Sequence, residues 1–324
     1  MTQAQRQRIA RRALHGVLLL DKPLGWSSND ALQKAKWLLR ADKAGHTGTL
    51  DPLATGLLPL CFGAATKFSQ ISLDADKSYR ATLRLGQRTS TGDLEGEVVQ
   101  QRPVEVDTAG VQAVLQRFSG EIDQVPPMHS ALKKDGKALY EYARAGISLE
   151  RAARRVTIHA ITLVHWQGDQ LVIDVRCSKG TYIRTLAEDI GEALGCGAHL
   201  SGLRRTASGS LGLEGAVSLT ELEALDEPGR EALLRPVDLL LADWPSVALD
   251  ADEAGRFLSG LRRRTSLPNA AALRVYGPEA QAFLGSAHIT GGELIADRLL
   301  SPAEVHALLS PSQQPAPELQ PAAA

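Results

Sequence analysis

One acid in the sequence stands in a setting that suits chemistry. Asp51 lies within Gly45-His46-Thr47-Gly48-Thr49-Leu50-Asp51-Pro52-Leu53-Ala54-Thr55-Gly56, with Leu50, Leu53, Leu57 and Leu58 close by. Glycines, threonines and a proline around a single carboxylate describe backbone held in a special shape. An aspartate fixed there among apolar residues can serve as a nucleophile or a general base. The plainer reading is an aspartate that bonds its own backbone in an Asx-turn.

Two further groups could complete a site. Tyr79, in Lys77-Ser78-Tyr79, falls on the apolar face of an alternating stretch. It is either a core tyrosine or a ring that stacks on a base or handles a proton. Arg184 closes Arg176-Cys177-Ser178-Lys179-Gly180-Thr181-Tyr182-Ile183-Arg184, a strand, a glycine turn and the first turn of a helix. A cation at a helix N-terminus opposes the dipole, at roughly a few tenths of a kcal/mol or more. An anion should compensate: Asp51, a phosphate, or Glu188 in an exposed pair one turn on. An arginine partner would hold an aspartate ionised, as a nucleophile requires. Arg204 and Arg205, in Leu200–Thr206, read as the end of a helix or loop, where they contact phosphate or form a solvated basic face. The Asp51 stretch lacks the G-x-x-x-x-G-K-[ST] pattern of a P-loop. It also differs from the phosphorylated motif of P-type pumps, where the acid precedes Thr-Gly-Thr.

These residues need elements to hold them. Gly16–Leu20 reads as a strand, and Ser27-Ser28-Asn29-Asp30 opens a helix with Ser27 as N-cap, Asp30 near the first-turn amides and Trp26 as a staple residue. Ala31, Leu32, Ala35, Leu38 and Leu39 form its apolar stripe. Residues 45–63, punctuated by Gly and Pro yet apolar, suit a buried functional loop. Residues 78–86 alternate as a half-buried strand, with Tyr79, Ala81, Leu83 and Leu85 on one face. A helix is expected over 111–118, strands over 156–165 and 170–178, a helix over 181–194, and a connecting region over 226–243. Beyond 246 come a short helix (252–258) and short strands around 272–276, 281–284 and 293–300. The insertion at 131–155 carries Lys133, Lys134, Lys137, Arg144, Arg151, Arg154 and Arg155 against Asp135, Glu141 and Glu150. Gln124-Val125-Pro126-Pro127 stiffens its base.

The chain of 324 residues suits a large domain plus a small one. A net charge of −1 gives no global pull on a polyanion, so nucleic-acid contact must come from local clusters. Cys61, Cys177 and Cys196 form no CxxC pair, which indicates neither a metal site nor a disulfide framework and fits a reducing cytoplasm. No stretch approaches the ~20 apolar residues of a membrane span. The Arg-rich start reads as a flexible arm rather than a secretory signal, and the Pro- and Ala-rich end as a disordered tail.

Six ordered blocks resemble the TruB family of tRNA pseudouridine synthases: DKPLGWSS, GHTGTLDPLATGLLPLCFGAATK, KSYRATLRLGQRTSTGD, QVPPMHSALKKDGKALYEYAR, RCSKGTYIRTLAEDIG and AHLSGLRRTASG. The resemblance implies an isomerase that converts uridine 55 in the T-loop of tRNA to pseudouridine after flipping the base out. It implies that Asp51 is the catalytic aspartate, that Tyr79 stacks on the base and takes the C5 proton, and that Arg184 pairs with Asp51. His46 would fill the space left by the flipped nucleotide, and Tyr182 and Leu203 would line the uracil pocket. Lys22, Thr49, Lys133 and Arg204 would bind the substrate. The implied fold is α+β, a mixed and mainly antiparallel sheet with flanking helices. Its organisation would be a basic arm (1–14), a catalytic domain (15–245) with a thumb-like insertion (124–155), a small PUA-like β domain (246–310) and a tail (311–324). No cofactor or metal is expected, since the isomerisation changes neither oxidation state nor composition. The expected partner is tRNA, with no membrane, and a monomer is the simplest state. The route of Asp51 stays open between attack on C1′, addition to uracil and removal of a sugar proton to give a glycal, the last being the one the family favours. The competing functions are a non-catalytic RNA-binding protein or tRNA chaperone and, with no metal or phosphate motif behind it, an aspartyl-nucleophile hydrolase.

Overall fold

Apolar alternation along residues 78–86 becomes the strand Lys77–Leu85, at the centre of the sheet that carries Tyr79. The computed structural model describes residues 10–279 and 282–310. They divide into two units. One comprises Asp51–Leu57 and Asp74–Gly212; the other comprises Leu58–Leu73, the described residues up to Leu50 and those from Leu213 onward.

In the first unit the sheet order is the start of Ala54–Phe62, then Ala198–Ser208, Lys77–Leu85, Gln170–Cys177, Arg154–Gln167 and Gly120–Gln124. The first pair is parallel and the others are antiparallel. This is the expected α+β class, with a mixed, mainly antiparallel sheet. Helices Thr108–Arg117 and Ile183–Ala193 bury Val111, Val114 and Leu115, and Ile183, Leu186, Ala187 and Ile190, against Ala81, Leu83, Leu171, Ile173 and Leu200. Gly191 is what lets the second helix come so close: a Cβ there would clash with the backbone of Gly197 and Ala198. The strands expected over 156–165 and 170–178 and the helices over 111–118 and 181–194 are present, with ends shifted by at most three residues.

Two expectations in this region need correction. The second half of the stretch 45–63, read as a loop, is strand: Ala54–Phe62, buried almost throughout. Its glycine and proline are accommodated because the strand changes partners. Residues 54–56 pair with 203–205, whereas 60–62 pair with 44–46. Pro59 supplies only its carbonyl, to the Thr47 N–H at 3.1 Å. The segment 200–206, read as a helix or loop end, is also strand, within Ala198–Ser208.

The second unit holds strand Gly16–Lys22, parallel to Val217–Ser218, and helix Ser28–Leu38. Ser27 caps that helix as expected, accepting from the Asp30 N–H at 3.1 Å. The region 226–243 is more than a connection: it contains helix Glu227–Ala232 and the 3-10 turn Val237–Leu241, and Arg235 bridges to Val17. The arm expected over 1–14 is docked where it is described. Arg12 pairs with Glu227 and Glu231, and Leu14 is buried. The rest of the arm and the tail over 311–324 lie outside the described residues. A separate sheet follows, in the order Ser246–Ala248, Ala270–Tyr276, Phe283–Thr290, Glu293–Leu299 and Arg263–Arg264. Ser301 and Glu304 form a capping box on its last helix, Pro302–Leu309. Phe68 packs on Phe283 with ring centroids 5.3 Å apart, and Lys67 donates to Leu299 O at 2.9 Å and to Glu304 at 2.6 Å. No helix among the described residues is long and apolar enough to cross a membrane.

Candidate active site

Asp51 opens a turn over Pro52 and Leu53, closed by the Ala54 N–H donating to Asp51 O at 3.0 Å. Proline at the second position pre-sets the φ that such a turn needs. The side chain does not fold back on its own backbone. Its Oδ2 lies 2.9 Å from a terminal nitrogen of Arg184. Arg184 thus pairs with Asp51, while Glu188 pairs with Arg88.

Arg184 occupies the second position of helix Ile183–Ala193, where its charge opposes the dipole. A guanidinium buried to 7% exposure needs compensation from several sides. It receives Asp51, Asp93 at 3.4 Å, and the carbonyl oxygens of His129 at 2.6 Å and Thr91 at 3.5 Å. Asp93 is itself 4% exposed, and it is held by Thr91 Oγ1 at 2.5 Å and the Glu95 N–H at 3.1 Å. Asp51, at 43% exposure, is the open member of the three. Sequence reasoning misses Asp93. Its only signal is its position at the end of the block KSYRATLRLGQRTSTGD.

Tyr79 packs against the apolar cluster beside Leu203. Burial pushes its hydroxyl above the ordinary tyrosine range, and the charge of Asp51 acts in the same direction. The positive charge of Arg205 opposes both. Arg205 cannot be the phosphate contact expected of it: it is 1% exposed, with Nε donating to Leu57 O at 2.7 Å. Strand alternation explains the change, since Arg205 and Leu203 share the Tyr79 face while Arg204, paired with Arg80, takes the other.

Tyr182 is half-buried at the N-cap of the Arg184 helix, and burial raises its hydroxyl as well. The Gln124 amide clasps its backbone, donating to Tyr182 O at 3.3 Å and accepting from its N–H at 3.0 Å. In sequence Gln124 marks only the start of the thumb. Lys133 is exposed on a hairpin, Lys133–Lys134 with Lys137–Ala138. Asp135 and Gly136 turn that hairpin with φ of 52° and 82°, as an Asp-Gly type I′ turn requires.

Three expected residues belong to the second unit. His46 is half-buried in the short strand Ala44–His46 and Thr49 is exposed. Lys22 is fully buried, and its ammonium donates to Trp26 O at 2.6 Å and Pro23 O at 3.0 Å. A lysine so placed braces the turn after its strand, which corrects the expectation that it binds the substrate. The residue before Asp51 is fixed in the same unit, with Ser28 Oγ accepting from the Leu50 N–H at 2.7 Å and donating to Leu50 O at 3.0 Å.

Three family models match the chain in succession: the N-terminal domain of TruB family pseudouridylate synthase over residues 36–183, the C-terminal domain of tRNA pseudouridylate synthase B over 184–242, and pseudouridine synthase II TruB, C-terminal, over 245–300. A protein of Verminephrobacter eiseniae named tRNA pseudouridine synthase B is 60% identical over 321 residues, 97% of each chain. A protein of Ralstonia nicotianae with the same name is 62% identical, over 92% of this chain and 98% of its own. Among known structures, a chain of a Cbf5-Nop10-Gar1 complex superposes with a TM-score of 0.69 at 25% identity, covering 91% of this chain and 87% of its own. With the family models spanning most of its length and relatives this similar over nearly all of it, the chain belongs to the TruB family of pseudouridylate synthases.

Proposed function

We propose that this pseudouridine synthase isomerises uridine 55 in the T-loop of tRNA, with the base flipped out and Asp51 as the ionised carboxylate at the reaction centre. The observation that carries the reading is the Asp51–Arg184–Asp93 arrangement, two carboxylates on one buried guanidinium with only Asp51 open to a ligand. The names of the relatives support tRNA as the substrate. Extruding the base costs roughly a few kcal/mol, which phosphate contacts from the basic thumb offset.

In this reading the bond from the sugar C1′ to N1 breaks, a bond from C1′ to C5 of the same uracil forms, the C5 proton leaves and N1 gains one. Asp51, oriented in advance by Arg184, acts as the ionised carboxylate, by sugar-proton removal to give a glycal, by attack on C1′ or by addition to uracil, and a charge already in place needs little reorganisation. Tyr79 stacks on the base and its oxygen takes the C5 proton. Tyr182 and Leu203 line the uracil. His46 and Thr49 contact the RNA, and Lys133 on the thumb and Arg204 on the outer face of its strand meet phosphate. The small C-terminal sheet acts as a PUA-like RNA-binding domain, and the protein works as a cytoplasmic monomer. The exposed basic hairpin favours a second, accompanying role in refolding tRNA.

Tritium release from a tRNA transcript labelled at uracil C5 tests the reaction. Release by the wild type, mapped to the T-loop uridine, and none by Asp51→Asn with RNA binding intact is the expected result. Appreciable release by Asp51→Asn would refute the role of Asp51. A refolding assay on misfolded tRNA with the same variant reports the chaperone role separately.

A further inference from the structure

We propose that Arg205 is a positioning residue for Tyr79, holding the phenol oxygen in place to accept the C5 proton. The inference rests on the reading of Tyr79 as that acceptor. The geometry comes first. Tyr79 and Arg205 are directly opposite in the antiparallel pair Lys77–Leu85 and Ala198–Ser208, so their side chains project from one face. The guanidinium is anchored by its Nε on Leu57 O at 2.7 Å, and its charge acts on the Tyr79 hydroxyl. Its backbone is equally constrained. Gly56 pairs with Arg205 on the neighbouring strand at φ 97°, and a Cβ at Gly56 would strike the Arg205 backbone. An arginine at 1% exposure is costly to bury, which argues for a task that a smaller apolar residue could not perform.

The charges around Tyr79 assign that task. Burial and Asp51 disfavour its ionised form, and Arg205 is what works against them. The Cys177 thiol is itself pushed up to about 11 by burial, so it stays neutral. Lys77, on the Tyr79 strand, is the other cation near Arg205, and it is lowered to about 8. The step balances simply. The phenolate oxygen takes the proton from C5, the C–H electron pair returns to the uracil ring, and the phenol later gives its proton to water.

An ultraviolet difference titration of the full-length protein, wild type minus Tyr79→Phe, isolates the ionisation of Tyr79. Repeated in an Arg205→Gln background, it should show that ionisation at higher pH. Single-turnover tritium release at neutral pH should fall roughly tenfold, the factor for one contact of about 1.4 kcal/mol, and recover as pH rises, with RNA affinity unchanged. A fluorotyrosine at position 79, a more acidic phenol, should restore the Arg205→Gln rate. A Tyr79 titration unmoved by Arg205→Gln would overturn the proposal. If that variant does not fold, wild-type guanidinium 15N resonances decide. An Arg205 signal that follows the Tyr79 titration and is flat in Tyr79→Phe supports the coupling; a signal flat in both overturns it. Neither titration needs turnover, so the coupling is decided even where tritium release fails.

Discussion

Around Arg184 and along the thumb, the same unit handles charge in opposite ways. Arg184 is buried among two carboxylates and two carbonyl oxygens, each within reach of its fork. On the hairpin at 133–138, Lys133, Lys134 and Lys137 stand exposed with only Asp135 among them. The first arrangement fixes a geometry before any substrate arrives, which is what charge stabilisation in a water-poor site demands. The second leaves charge for an anion that comes from outside, raising encounter and binding in a salt-dependent way. A chain of net charge −1 can therefore serve a polyanion, because its cations are sorted by depth rather than by number.

The contrast can be broken most severely at Arg184. Arg184→Met leaves Asp93 buried without its partner and should cost about 3–5 kcal/mol of stability, visible in a denaturant titration. Arg184→Lys keeps a cation but cannot reach both carboxylates in one plane. It should stay folded while single-turnover release falls by about 10²–10³, the range for losing one preorganised donor. Retained activity in Arg184→Lys would mean that charge alone is enough.

The thumb should respond in affinity rather than in rate. Lys133→Ala, Lys134→Ala and Lys137→Ala combined should weaken tRNA binding and flatten the dependence of log Kd on log salt by about 0.7–0.9 for each phosphate that is no longer neutralised. The rate at saturating RNA should barely change. A fall in rate at unchanged affinity would place the hairpin inside the reaction instead.

The smallest effect is expected at Lys77, a cation that burial lowers to about 8 from an ordinary 10.5. Between those values the unfolded chain holds a proton that the folded chain has released, so this residue makes stability rise with pH across that window. Melting curves of Lys77→Met should lack that component of the rise, so the difference from wild type should change between pH 8 and 10.5. A difference constant with pH would show that Lys77 titrates normally.

Local signals carried much of this fold into the sequence. Ser27 and Asp30 announced a helix start that the backbone adopts, and alternation over 78–86 placed Tyr79 on the apolar face. The position of Arg184 in a first helical turn demanded an anion, and Asp51 supplies it. Asp93 escaped because its local bonds, to Thr91 and to the Glu95 N–H, are those of an ordinary turn aspartate. Only the fold brings it to Arg184, far along the chain. Arg205 escaped for a different reason. Two adjacent arginines read as the end of a helix or loop, and nothing local says that such a pair straddles a strand with one buried face. In Ala54–Phe62, Pro59 and Gly56 masked a strand whose pairing changes midway, a property of its neighbours rather than of its own residues.

The packing of Phe68 on Phe283 bears on how the protein can be handled. Phe68 has no exposed surface, and part of its cover is Phe283, while Lys67 finds both of its acceptors beyond residue 298. A fragment trimmed at residue 245 to give a minimal enzyme would lay an aromatic ring open to solvent and strand a cation beside it. Exposed apolar surface of that kind promotes association. Such a fragment would be a stickier protein in the flask, for a reason that has nothing to do with RNA.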